Sequence, residues 1–472
     1  MRIAMLTSNY KPFVGGVPIS IERLADGLRR RGHMVFVFAP ECGDTRAVDD
    51  IFTYRFRTVR PLQRGGFRPS QLFDPAVGRL FPNLGADVIH VHDPFLVGQL
   101  GLRLGRRYGV PVVFTHHTRY DQYLHYVRAY AAVEARARDG HPLTAGLLRE
   151  VRESWLPAYV TAFENRCDAV IAPSETLRQD LLGAGVQSPI CVLPTGLTDA
   201  AFLRDEPASA RLRKELLGGR KYLLCTVSRL GREKNLDILL RGMALLKERI
   251  GSSFRLVMIG EGPERAALES LRDRLGLTEE VQFPGVVSND QLAIWHRACD
   301  LFVFASRSET QGIVLLEAMA AGRPVVALRA SGSQDVVRDG ENGLLTCEAE
   351  LAPRIADVLT DGRLRRSLSG QALMTASHYT VCEVARSAEA LYCELGGGAL
   401  PLHPAPARRA AGLCPAPAPA RRAAGLCPAP APTRRAAGLC PAPAGAYAPD
   451  PEMLPHLHSP AGGTKVYSNH QK

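Results

Sequence analysis

Glu309 and Glu317 stand eight positions apart and bracket a glycine and an apolar helix start, in Glu309-Thr310-Gln311-Gly312-Ile313-Val314-Leu315-Leu316-Glu317. A helix beginning near Gly312 would point the N–H groups of Ile313 and Val314 out of its first turn, where an anionic phosphate is favoured. Glu309 then lies in the turn beside that anion. Glu317 lies one turn beyond Ile313 on the same face. A phosphate seat between two carboxylates suits a sugar nucleotide, whose hydroxyls donate to carboxylates while its diphosphate takes N–H groups. The plainer alternative is that both glutamates are solvated charges at a helix end.

Further groups of the right type lie elsewhere in the chain. Arg229 and Lys234 follow the apolar run ending at Val227, in Ser228-Arg229-Leu230-Gly231-Arg232-Glu233-Lys234-Asn235. Two long cations in a loop at a strand's carboxyl end can clamp a departing diphosphate without a metal, or they can be surface charges next to a helix. Gly15-Gly16 opens a helix directly after the first strand, where paired glycines let backbone approach a phosphate or sugar. His116 and His117 follow the strand Val112 to Thr115, and one of the two should project beyond it, able to hydrogen-bond a sugar hydroxyl. His90 and His92 alternate on a strand end and read as packing or hydrogen-bonding residues. Gly260-Glu261-Gly262-Pro263-Glu264-Arg265 imitates a dinucleotide fingerprint, but Arg265 stands at the third glycine position and Pro263 at the helix start. A Walker-type Gly-Lys-Ser/Thr sequence is missing, which argues against a P-loop kinase or ATPase.

The elements that would carry these residues alternate regularly. Arg2 to Leu6, Met34 to Ala39, Asp87 to Val91, Val112 to Thr115 and Ala169 to Ala172 read as buried strands, with helices at Val17 to Arg30 and Phe95 to Arg107. After Leu193-Pro194-Thr195-Gly196 the pattern restarts, with strands at Tyr222 to Val227, Arg255 to Ile259, Val281 to Phe283, Leu301 to Ala305 and Pro324 to Ala327. Continuous apolar strands separated by helices mean parallel sheets covered on both faces. The expected organisation is two Rossmann-like domains, over 1–195 and 196–379, to which the family resemblance described below gives the acceptor and the nucleotide sugar respectively. A terminal helix over 380–395 and a disordered tail over 396–472 follow.

The chain has 472 residues and a formal net charge of +11. Eight Lys/Arg and two Asp/Glu lie from residue 401 onward, a balance of +6, which leaves +5 for everything before it. That residue is mild. It does not point to nucleic acid, and no nucleic-acid module accompanies it, although weak attraction to an anionic membrane surface is compatible. The tail repeats Arg-Arg-Ala-Ala-Gly-Leu-Cys-Pro at Arg408, Arg421 and Arg434 in a composition that predicts disorder. It is either a tether to an anionic partner or membrane, or a duplication with no selected structure. The eleven cysteines show no paired metal spacing and read as buried free thiols in a reducing compartment. The start Met1-Arg2-Ile3-Ala4-Met5-Leu6 does not look like a signal peptide, and a cytoplasmic protein is expected.

From Met1 to about Leu395 the chain resembles the retaining glycosyltransferases of family four, which have the two-domain GT-B fold. The resemblance rests on Gly15-Gly16, Arg229 with Lys234, Gly260-Glu261-Gly262-Pro263 and the Glu309 to Glu317 element, in that order. It implies that Glu317 holds the donor's ribose and Glu309 the transferred sugar. It also implies that Arg229, Lys234 and the N–H groups of Ile313 and Val314 hold the diphosphate, and that Gly16 closes over it. Gly15, Gly262, Gln311 and Gly312 belong to the same donor site by resemblance, and His117, which precedes Thr118, matches the family's cleft histidine. No cofactor or metal is implied, only a nucleotide sugar as co-substrate, with no protein partner indicated. The segment Phe114 to Tyr126 and the run Ser308-Glu309-Thr310-Gln311-Gly312 are similar to bacterial diacylglycerol α-glucosyltransferases, which implies glucose transfer from UDP-glucose to a lipid acceptor; the alternatives are a soluble or polyprenyl-linked glycan acceptor, as for a mannosyltransferase, or sugar-nucleotide binding without transfer. Tyr120, Tyr123 and Tyr126 beside Leu124 are either a stripe facing a bilayer interface or the inward side of an ordinary helix. Val127-Arg128-Ala129-Tyr130 departs from the lipid enzymes, which place a proline after the tyrosine.

Overall fold

The computed structural model describes residues 1–13, 15–41, 51–57, 75–120 and 142–396. Tyr123, Tyr126 and the repeat tail lie outside them. Two parallel sheets make up the described chain. The first has the order β3-β2-β1-β4-β5-β6-β7, with β1 Arg2–Leu6, β2 Met34–Pro40, β3 Thr53–Phe56, β4 Val88–Val91, β5 Val112–Thr115, β6 Ala169–Ala172 and β7 Ile190–Val192. The second has the order β10-β9-β8-β11-β12-β13, with β8 Tyr222–Val227, β9 Phe254–Ile259, β10 Val281–Gly285, β11 Leu301–Phe304, β12 Val325–Leu328 and β13 Leu344–Thr346. The central strands are buried, β11 along its whole length and β1 in all but Arg2, because helices cover both faces.

In each sheet the strand order reverses once, between β1 and β4 in the first and between β8 and β11 in the second. Loops leaving the two strands on either side of such a reversal diverge and open a crevice, the usual ligand position in open α/β sheets. The loops that leave these four strands carry Gly15-Gly16, His92, Arg229 with Lys234, and Glu309.

The terminal helix Val381–Leu395 returns to the first sheet. Val384, Ala385, Ala388, Leu391 and Tyr392 join the core built by β1, β2 and the helix Gly16–Arg30. Close contact demands a glycine on that helix: a Cβ at Gly27 would lie 2.6 Å from a Val381 methyl. The fully buried Tyr392 hydroxyl bonds His90 Nδ1 at 2.8 Å. Of the cysteines expected inside, Cys167, Cys225 and Cys299 are buried, whereas Cys347 is exposed because it follows the short edge strand β13.

Candidate functional site

The helix after β11 runs from Ile313 to Ala320 and starts on Gly312, whose φ of 76° is a left-handed conformation that other residues enter only with strain. That turn sets Glu309 before the helix and Glu317 inside it. Lys234 reaches from the 3-10 turn after β8 and donates to Glu309 Oε1 at 2.6 Å, with side chains only 12% and 22% exposed. Burial works to raise the Glu309 carboxyl, but the charge and hydrogen bond of Lys234, with a further bond from Ser306, outweigh it. The group is held below the ordinary carboxylate value. Glu309 is therefore an acceptor at neutral pH.

Gly262 acts one layer further back. A Cβ there would lie 2.3 Å from the Leu230 carbonyl oxygen, and Leu230 exchanges backbone hydrogen bonds with Glu261 and Glu264. Its glycine lets this segment pack against the loop that carries Arg229 and Lys234. Arg229 itself is exposed at the end of β8. Gly16 has the opposite character: a Cβ on it would meet nothing within 4 Å, and one on Gly15 only Pro18 at 3.9 Å. Among the described residues no protein contact demands these two glycines.

Gln311, expected beside the donor, makes its hydrogen bonds within the protein. Its amide is buried and satisfied at both ends by Thr195, accepting from the backbone N–H at 2.6 Å and donating to the carbonyl at 3.2 Å. It joins the Glu309–Glu317 element to the chain that crosses between the sheets. Thr310 is the second such contact, donating to the His117 carbonyl at 3.0 Å.

On the first sheet the histidines form a stack. His92 Nδ1 and His117 Nε2 share a hydrogen at 2.9 Å, with their rings stacked 5.1 Å apart. His90 Nε2 bonds Thr115 Oγ1 at 2.6 Å. Burial, then the neighbouring His117, lowers His90 to about 3, while burial, then His116, lowers His117 to about 3. His92 is also pushed well down, again mainly by burial. The stack is thus neutral, and among the described residues His92 Nε2 is buried without a partner. His116 turns the other way, onto the fully buried Glu164 at 2.7 Å. The Tyr120 ring packs against Phe95 and His116. Burial, with Asp93 and Glu164 close by, pushes its hydroxyl well above the ordinary value. Tyr120 thus rests its ring on the protein at the described end of this segment.

Several residues were missed in the sequence. Ser20, Arg23 and Gly27 lie with Gly16 on one face of the first helix, at spacings of four, three and four. Ser20 Oγ accepts from Thr195 at 3.0 Å, and Arg23 pairs with Glu317 at 2.7 Å. Their periodicity was readable, but it is the periodicity of any packed helix face. Arg119, which donates to Ser331 at 2.8 Å and pairs with Asp180, gave no signal at all.

Comparison with known proteins follows the same division. The description "Glycosyltransferase Family 4" matches residues 14–200, and "Glycosyl transferases group 1" matches residues 209–373. An alpha-monoglucosyldiacylglycerol synthase of Streptococcus pneumoniae is 32% identical over 374 residues, spanning 76% of this chain and 78% of that protein. A GDP-mannose-dependent alpha-mannosyltransferase of Mycobacterium tuberculosis is 28% identical over 402 residues, spanning 81% and 94%. Among solved structures, Anabaena HepE in complex with UDP and glucose superposes with a TM-score of 0.64 at 23% identity, covering 83% of this chain and 99% of that one. At that identity the likeness bears on the fold alone. With two parallel sheets, matches to both family descriptions and a relative at this level, the chain belongs to the group 1, family-four glycosyltransferases and has the GT-B fold.

Proposed function

We propose that this glycosyltransferase moves glucose from UDP-glucose to diacylglycerol at a membrane surface, with retention at the anomeric carbon. The observation that carries the reading is the buried Lys234–Glu309 pair at the exit of β8 and β11, with Glu317 in the helix that follows, one turn beyond Ile313. Lys234 and Arg229 neutralise the diphosphate, assisted by the first-turn N–H groups of Ile313 and Val314, while the backbone at Gly16 covers it. Glu309 accepts from hydroxyls of the transferred sugar, and Glu317 accepts from the ribose. The sugar's C1–O bond to the diphosphate breaks, and the acceptor oxygen bonds C1 from the same side. A diphosphate oxygen takes the acceptor's proton. His117, neutral and braced by His92, offers a hydrogen bond at the reacting sugar.

Two relatives named alpha-monoglucosyldiacylglycerol synthase, at 32% and 26% identity, support the lipid acceptor. Among the described residues no helix is long and apolar enough to cross a membrane. Leu147 and Trp155 on the segment before β6 are 52% and 61% exposed, the kind of residues that settle at a bilayer interface. The GDP-mannose relatives support a second reading, mannosyl transfer to a glycan. Purified protein incubated with UDP-glucose or GDP-mannose, and with diacylglycerol vesicles or soluble glycans, separates them. α-Glucosyldiacylglycerol from UDP-glucose is the expected product, and product from the soluble acceptors alone overturns the lipid assignment.

A further inference from the structure

The helix Gly16–Arg30 brings to the donor site a cation that the reaction outlined above leaves unused. Arg23 Nη2 donates to Glu317 Oε1 at 2.7 Å, and Arg23 Nη1 donates to the Gly196 carbonyl at 3.1 Å. The two partners come from different places, Glu317 from the helix after β11 and Gly196 from the chain passing between the sheets. The Arg23 and Glu317 side chains are 11% and 10% exposed. Among the described residues Glu317 Oε2 accepts no hydrogen bond. A pair buried to this degree adds little net stability, because desolvation offsets most of the attraction. What a guanidinium does supply is geometry: a planar fork fixes both the rotamer and the charge of the carboxylate it holds.

We propose that Arg23 is a positioning residue for the donor's ribose. By holding Oε1, it aims Oε2 of Glu317 at the ribose hydroxyls. By holding the Gly196 carbonyl with the same fork, it ties ribose binding to the approach of the two sheets. This rests on the reading of Glu317 as the ribose acceptor. The rival geometry, in which Arg23 merely fills the ribose's place, predicts the opposite sign on removal.

Calorimetry on the full chain with UDP, GDP and inorganic pyrophosphate, which has no ribose, tests it. R23M should weaken the better-bound nucleoside diphosphate about tenfold, the scale of one charge-assisted hydrogen bond, and leave pyrophosphate affinity unchanged. Donor KM should rise with little change in kcat, and R23K should recover part of the loss. In an E317Q background R23M should add nothing. Unchanged or tighter nucleoside diphosphate binding by R23M overturns the proposal, as does an equal loss for pyrophosphate. If the unaltered chain binds pyrophosphate as tightly as UDP and GDP, the ribose reading of Glu317 fails instead, which is a different result from an unaffected R23M.

Discussion

The two sheets bring opposite chemistry to the space at their strand ends. The second supplies charge, in Arg229, the Lys234–Glu309 pair and Glu317. Besides Arg23 on its first helix, the first supplies neutral rings, in His92 and His117 with His90 and Tyr120 behind them. Fixed cations can offset a diphosphate, whereas neutral rings exchange hydrogen bonds with hydroxyls without adding charge. Burial has been used in both places to different ends. Around Glu309 an ion pair overcomes it and keeps the group ionised, while around the histidines nothing overcomes it and they stay neutral.

The charged half should be the more easily broken. Lys234→Ala should lower kcat/KM for the nucleotide sugar by about 10²–10³, since it removes a diphosphate ligand and strands a buried carboxylate. Steady-state turnover and nucleoside diphosphate affinity should fall together, and unaltered affinity would refute the clamp. Glu309→Gln preserves shape and removes charge, so turnover should fall about tenfold to a hundredfold with little change in nucleoside diphosphate affinity. An unchanged turnover would mean that Glu309 does not hold the sugar.

The neutral half should fail with acid. His90 and His117 protonate near 6.5 when exposed but only at about 3 in the folded chain. Between those values the unfolded chain binds more protons, so stability is full above 6.5 and falls as the pH drops. The expected loss by pH 5 is about 2 kcal/mol for each histidine. Thermal melts from pH 7.5 to pH 4.5 would show it, and a flat profile would mean the rings are not held neutral. Smallest of all, two glycines should separate packing from ligand space. Gly262→Ala, facing the Leu230 carbonyl at 2.3 Å, should cost about 1–3 kcal/mol of stability. Gly16→Ala should leave the melting temperature alone and raise the donor KM.

The charged half was also the more legible half. Glu309, Gly312 and Glu317 sit within nine residues of one strand–turn–helix unit, so local rules place them. Strands β5, β6 and β8 could be read to the residue because their runs are almost wholly apolar and buried. Edge strands β3, β7 and β13 could not, being three or four residues long, with β3 and β7 half-exposed. Arg23 and Glu317 are 294 positions apart, and only the folded chain pairs them. The Gln311–Thr195 contact was hidden for the same reason, its partners lying 116 positions apart.

The helix Val381–Leu395 supplies Tyr392, Leu391 and Ala388 to the core of the first sheet. During synthesis that sheet emerges from the ribosome first, and must wait for some two hundred further residues before its last wall arrives. Until then Gly27 lacks Val381 and Ala385 against it, and His90 lacks its tyrosine. A nonsense codon shortly before residue 381 would therefore spare every strand of both sheets and still leave the earliest-made half of the protein open to proteases and aggregation.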